Sequence, residues 1–381
     1  MSEWDLIRCV GNISAAQAWL TRYAGQKPGF LCLLGFTETA LIPGISTAGA
    51  TPEARQYTAL ADAEFLYDGP TPYPQYPLPP LVVGVSPAYI SRAVVAGLGL
   101  PIYLLDAGLP QPPSVPHIAL GGLPARCVST GQALPMAVVQ RLFQVGWQWG
   151  QRLGRKFQGS YLIVGECVVG GTTTAQAVLT ALGMPAAGKV SSSHPQCNHD
   201  QKMTLIGAGL KTAGLKQGAT QKTPISPLAA IAAVGDPMQA AISGLAMAAS
   251  QHSGVLLAGG TQMIAVYALM QALAHPIDGV KISTTPRWFP DNIVVGTTRW
   301  VADDSSSDLM GLAKTVGSIP ILLSQLSFQA ARYPQLQIYE QGFVKEGVGA
   351  GGCAIAASLY KHWPQTALIK AIEDLIDKSV N

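Results

Sequence analysis

Short, near-continuous apolar runs alternate with helical patterns along most of this 381-residue chain. Charged residues supply only 12% of it and hydrophobic residues 48%. Several of the apolar runs end in glycines. Together these features predict an α/β protein with three layers, a Rossmann-like fold around a mostly parallel sheet. Strands buried on both faces read as unbroken Val/Ile/Leu runs, and their alternation with helices is the pattern of parallel βαβ units.

In chain order, strands are expected at residues 30–36 (FLCLLGF), 81–86, 102–108, 161–166 (YLIVGE), 255–260 (VLLAGG), 280–284 and 292–297 (NIVVGT). Helices are expected between them at 87–97, 134–156, 172–182, 237–250 and 261–274. The proline-rich segments 68–80 and 109–116 read as surface loops, too short to link domains. Residues 3–24 and 364–379 look like terminal helices covering part of the core. The expected organisation is a catalytic core at 25–325 and a smaller, mainly helical part built from 1–24 and 326–381.

Composition excludes several classes. Disordered chains are rich in charge and poor in apolar residues. A net charge of +3 leaves no footprint for nucleic acid. The 41 glycines and 28 prolines do not suit a coiled coil. Low charge raises the question of a membrane span, most of all between Asp236 and Asp278, where no charged residue occurs. Ala, Gly and Ser dominate that stretch, and Gln251, His252, Gln262 and Gln271 interrupt it. It parses as helix, strand and helix, so no membrane span is expected. The opening MSEWDLIRCV lacks an apolar signal core, which predicts a cytoplasmic protein. The six cysteines form no C-x-x-C pair, and the His194–Asp200 cluster matches no zinc spacing. No metal and no cofactor are expected.

The strongest local feature is the run YLIVGECVVGGTTTAQAVLTAL at 161–182, a strand, a Gly-rich turn, hydroxyls and a helix. Free N–H groups opening a helix attract an anion. The spacing from Gly165 to Gly170 copies a P-loop, but Gly171 stands where its lysine belongs. A monophosphate site with Gly170, Gly171, Thr172 and Thr173 fits this better than a nucleoside triphosphate; a tight packing turn is the simpler alternative. Glu166 sits at the end of the strand, where open α/β sheets bind ligands, or else serves as a helix-dipole partner. Glu346 stands in similar company in VKEGVGAGGCA, before a helix. Two glutamates in Gly-rich turns suit one pocket and general-base work. Gly259, Gly260 and Thr261 open another strand-to-helix turn. Arg299, in TTRWVADDSSSD, reads either as a phosphate contact or as part of a solvated loop, and Lys202 is a further phosphate candidate.

These motifs resemble those of the nicotinate-nucleotide:dimethylbenzimidazole phosphoribosyltransferases. GECVVGGTT at 165–173 is similar to that family's GEMGIGNTT, and KEGVGA at 345–350 to its GEGTGA. Asp236-Pro237 with VLLAGG, and LLDAG at 104–108, match further segments in order, over roughly residues 25–360. The GGTQ at 259–262 is similar to a divergent archaeal and cyanobacterial branch. The resemblance implies a Rossmann-like sheet in a homodimer. It implies transfer of the phosphoribosyl group of nicotinate mononucleotide to an aromatic base in cobalamin lower-ligand assembly. It makes Glu346 the general base and Glu166 the group beside C1′. Glu53, Glu64 and Cys167 are the candidates for the base pocket. The family's SHxSxEPGH and ADHG segments are replaced here, so a nucleotide-binding homologue without turnover, regulatory or accessory, is the alternative, and another glycosyl transfer a third reading.

Overall fold

The run 161–167 is apolar, and no charged residue but Glu166 interrupts it. In the computed structural model it becomes a fully buried central strand. The structure describes residues 6–79, 84–215, 225–275 and 287–380. Among them are eight strands: β1 (Ile7–Gly11), β2 (Gly29–Gly35), β3 (Ile102–Gly108), β4 (Ile118–Ala119), β5 (Tyr161–Cys167), β6 (Gly254–Ala258), β7 (Ile293–Thr298) and β8 (Pro320–Ser324). They form one sheet in the order β1-β8-β7-β6-β5-β2-β3-β4, parallel throughout except for β1 against β8.

That order places the chain's reversal at the centre. From β2 the chain steps outward to β3 and β4; from β5 it steps the other way to β6, β7 and β8. The crossovers leaving β2 and β5 therefore depart on opposite faces of the sheet, and a crevice opens at the carboxyl ends of those two neighbours.

Alternate residues of each strand feed two apolar cores. Leu31, Leu33, Leu162 and Val164 pack against helices Met136–Lys156, Gly171–Ala181, Pro237–Ala249 and Thr261–Ala274. Phe30, Cys32, Tyr161 and Ile163 face the other layer, with helices Ile13–Tyr23, Thr58–Asp68, Ala88–Gly97, Ala350–Lys361 and Gln365–Val380. The small-residue composition of the charge-free stretch has a packing cause. Helices Met136–Lys156 and Pro237–Ala249 lie so close that a Cβ on Gly244 would come within 2.1 Å of the Phe143 carbonyl oxygen.

The three-layer, mostly parallel α/β expectation is met, and five of the expected strands correspond to β2, β3, β5, β6 and β7. Other details differ. Residues 7–11, expected to be helical, form the edge strand β1, and the N-terminal helix begins only at Ile13. β8 was not expected; it opens on a proline, a position that a strand tolerates. Of the expected strand at 81–86, residues 84–86 are irregular and 81–83 lie outside the described residues, as does the expected strand at 280–284. No helix of the described residues is long and apolar enough to cross a membrane.

Candidate active site

Two Gly-rich segments far apart in sequence meet at the carboxyl end of β5. Gly165 and Gly349 touch backbone to backbone: a Cβ on Gly165 would lie 3.0 Å from the Gly349 Cα. The Val348 N–H donates to the Glu166 carbonyl oxygen at 3.0 Å, and the Ser91 hydroxyl donates to the Val348 carbonyl at 2.8 Å. This contact sets the two motif glutamates side by side. The loop that delivers Glu346 adopts backbone conformations that side chains disfavour. Val344, Lys345 and Val348 have φ of 64°, 65° and 54°. Such residues cost on the order of 1–3 kcal/mol each and persist only where the surroundings fix them. Here the Lys345 ammonium is buried between the His194 carbonyl (2.9 Å) and the Asp304 carboxylate (2.5 Å). The Thr298 hydroxyl holds the Lys345 carbonyl at 2.6 Å.

Glu346 lies over the N-terminus of helix Ala350–Lys361. Its Oε1 accepts from the Gly347 and Gly351 N–H groups (3.1 and 3.0 Å), and its Oε2 from the Thr297 hydroxyl and Thr298 N–H (3.2 and 3.0 Å). Gly351 is required by this arrangement, since a Cβ there would come within 2.5 Å of Glu346 Oε2. Burial raises the Glu346 carboxyl to about 7, against the lowering effect of its donors. Glu166 is 3% exposed and has fewer donors, the Val168 N–H on Oε2 (3.0 Å) and the Gln262 amide on Oε1 (3.1 Å). Burial first, and then the Asp236 carboxylate, raise it to about 8, with Glu346 and Asp62 adding repulsion.

Both glutamates line a cavity of about 540 Å³. One wall is the turn Gly170-Gly171-Thr172 opening helix Gly171–Ala181, together with Ser191–Ser193 and the loop 45–50. That loop is pinned by Arg55, whose guanidinium donates to the carbonyls of Ala40, Ile42, Ser46 and Ala48. It is tied to the serines through the Thr47 N–H and Ser193 hydroxyl at 3.0 Å. Backbone N–H groups, hydroxyls and a helix N-terminus make this wall receptive to an anion. The other side carries a third carboxyl, Asp62, on helix Thr58–Asp68. It accepts from the Ser86 hydroxyl (2.9 Å) and the Cys167 thiol (3.2 Å), and burial raises it to about 6. Among the described residues, none of Glu166, Glu346 and Asp62 has a Lys, Arg or His partner.

Of the residues singled out from sequence, Glu166, Glu346, Cys167, Gly170, Gly171, Thr172 and Gly260 line this cavity. Thr173, Gly259 and Thr261 are not in its lining, although the Thr261 hydroxyl lies 3.4 Å from that of the lining residue Ser191. Four others do not reach it. Lys202 is fully buried under the serine loop and donates to the Ser191 carbonyl at 2.7 Å, so it braces the wall from behind. Arg299 is drawn off by Glu340 and the Leu326 carbonyl. Glu64 is consumed by the proline-rich loop, accepting from the N–H groups of Gln75 and Tyr76 and from Ser114. Glu53 is exposed in a 3-10 turn outside the cavity. Asp62 and Ser191–Ser193 were not anticipated. Asp62 sits in an alanine-rich helix with no glycine beside it, and the serines lie on a loop without a regular pattern. The histidines of the 194–200 cluster face Gly44 and Ser306 carbonyls, and Cys197 faces Asp304.

Comparison with known proteins agrees with this architecture. A family model described as phosphoribosyltransferase matches residues 93–283. The UPF0284 protein of Trichodesmium erythraeum is 57% identical, over 97% of this chain and 98% of its own. That of Microcystis aeruginosa is 56% identical, over 99% and 100%. The fold is also that of the nicotinate-nucleotide-dimethylbenzimidazole phosphoribosyltransferase of Thermus thermophilus, with a TM-score of 0.56 at 16% identity, covering 95% of this chain and 88% of that one. A structure of CobT from the same organism gives a TM-score of 0.57 at 16% identity, covering 94% and 89%. With an anion-receptive turn and a carboxyl pair at the reversal point of its sheet, and with relatives of this closeness along its whole length, the chain belongs to the phosphoribosyltransferase family, alongside the cyanobacterial UPF0284 proteins.

Proposed function

We propose that this protein transfers the 5-phosphoribosyl group of nicotinate mononucleotide to an aromatic base, 5,6-dimethylbenzimidazole or a relative of it. The products are an α-ribazole-type phosphate and nicotinate, for the lower ligand of cobalamin. The observation that carries this reading is the charge distribution of the cavity. One wall suits a phosphate, and the rest presents three buried carboxyls without cationic partners among the described residues. Uncompensated buried carboxylates are costly. A ligand with an anion at one end and a cation at the other removes the cost. A ribosyl pyridinium 5′-phosphate is such a ligand, and a neutral nucleoside 5′-phosphate is not.

The phosphate would lie against Gly170–Thr172 and Ser191–Ser193, and C1′ between Glu166 and Glu346. Arrival of the pyridinium cation favours ionisation of carboxyls otherwise held neutral by burial. A ring nitrogen of the acceptor base attacks C1′ as the bond to nicotinate breaks, with its electron pair going to the pyridine nitrogen. Glu166 faces the positive charge that develops on the ribose. Glu346 takes the proton that the acceptor's second ring nitrogen releases, and a value of about 7 suits that exchange at neutral pH. Thr297 can turn its hydroxyl from donor to acceptor as the carboxyl becomes protonated. The proposal includes the homodimer implied by the resemblance, with residues 25–325 as catalytic core.

The test is release of nicotinate from nicotinate mononucleotide in the presence of a panel of benzimidazoles and purines. Release that depends on the base supports the proposal. Nucleotide binding by calorimetry with no release for any base overturns it and leaves a binding protein. A Glu346→Gln variant at full rate removes Glu346 from the mechanism.

A further inference from the structure

Asp62 does something that the transfer reaction itself does not require. Its helix, Thr58–Asp68, belongs to the opposite layer from helix Gly171–Ala181, whose N-terminus opens the phosphate wall. Its carboxylate is 4% exposed and lines the cavity. The Ser86 hydroxyl and Cys167 thiol occupy one lone pair on each oxygen, so acceptor capacity remains on both. One helical turn earlier, Thr58 also lines the cavity, and its buried hydroxyl has no partner among the described residues. Residues four apart share a helix face. The two side chains thus bring an unused acceptor and an unused hydroxyl to the same part of a cavity whose neighbouring lining includes Val85, Pro87 and Val348.

A polar pair beside apolar lining reads one feature of a ligand. The carboxylate that nicotinate bears is repelled by Asp62 even where its pyridinium nitrogen is attracted, so the incoming base is the occupant of that end. The geometry points to Asp62 and Thr58 as the pair that selects the acceptor base. They favour a heteroaromatic base whose far edge, away from the attacking nitrogen, carries a hydrogen-bond donor such as an amino group over 5,6-dimethylbenzimidazole itself, so that the preferred acceptor is one of the relatives of that base. This inference rests on the phosphoribosyl transfer proposed above. Sites built to hydrogen-bond a substrate reject analogues lacking the group, because the buried polar atoms are left unpaired. Hydrogen bonds to a charged acceptor correspond to roughly tenfold to a hundredfold in rate or affinity.

The experiment compares 5-aminobenzimidazole with 5-methylbenzimidazole, which differ little in size, as acceptors for nicotinate mononucleotide. Wild type is expected to favour the amino base in kcat/KM by about tenfold or more. In Asp62→Leu and Asp62→Ala the ratio falls to about one or inverts, whereas Asp62→Asn, which keeps an acceptor oxygen, retains part of it. A ratio within one variant is insensitive to the amount of folded enzyme. An unchanged ratio in Asp62→Leu overturns the assignment. If wild type turns over neither base, the transfer reading is what has failed. The assignment is then judged by calorimetric binding of the two bases to wild type and Asp62→Asn, and equal affinities overturn it.

Discussion

Replacing Glu166 by Gln should make the protein more stable at alkaline pH while removing most of its activity. A carboxyl raised from its ordinary 4.5 to about 8 is neutral in the folded state over a range in which the unfolded chain ionises it. Its contribution to stability is therefore greatest below the unfolded value and is lost as pH rises toward the folded one. Between those limits the loss is about 1.4 kcal/mol for each pH unit. From pH 6 to pH 8 wild type should lose roughly 3 kcal/mol on this account, with a smaller loss from Glu346 that ends near pH 7. Gln has almost the same shape, keeps an oxygen for the Val168 N–H, and carries no charge to repel Asp236, Asp62 or Glu346. Urea unfolding of wild type and Glu166→Gln at pH 6 and pH 8, with nicotinate release measured in parallel, checks this. The expected result is a variant more stable than wild type by about 2 kcal/mol at pH 6 and by about 4–5 kcal/mol at pH 8. Equal pH dependence in the two proteins refutes the reasoning, because the cavity would then hold its charge without cost.

Three further outcomes follow from the same geometry. Gly351→Ala sets a Cβ 2.5 Å from Glu346 Oε2 and 2.4 Å from the Thr297 carbonyl carbon; a displacement of about 1 Å at a reacting group costs around a hundredfold in kcat, and overpacking against backbone costs about 1–3 kcal/mol, so both activity and Tm should fall. Lys345→Met leaves Asp304 buried beside the strained loop without its cation; unfolding experiments should show a loss of about 3–5 kcal/mol, and Lys345→Met with Asp304→Leu should recover part of it. The pH profile of kcat/KM for nicotinate release should rise through about 7 as Glu346 ionises, and the rise should vanish in Glu346→Gln.

The parallel sheet was legible because both faces of its strands are buried, so β2, β5, β6 and β7 carry the unbroken apolar runs that such burial demands. The antiparallel edge was not. β1 alternates buried, exposed and half-buried residues, with Arg8 near its centre, and in a single sequence that resembles a helix start. Glu166 and Glu346 stood out because glycine neighbours let the backbone approach a ligand closely; in the structure two of those glycines, Gly165 and Gly349, approach one another. Arg299 and Glu64 misled because a charged residue's partner is chosen by the fold. Arg299 looked like an anion contact among hydroxyls until Glu340, on a separate turn, was brought beside it. Asp62 was hidden for the converse reason: local sequence around it describes an ordinary helix, and only the third dimension turns that helix toward the cavity.

The strand order also has a consequence for the birth of the molecule. β1 is the first strand made, and its hydrogen-bonding partner β8 ends at Ser324. Glu346 follows still later. At a synthesis rate of about 5–20 residues per second, the phosphate wall around Gly170–Thr172 emerges from the ribosome roughly ten seconds or more before the loop that delivers Glu346. The nascent chain must therefore wait with an unfinished sheet edge and an incomplete carboxyl pair. Its site is complete only once the loop carrying Glu346 has followed the phosphate wall out of the ribosome.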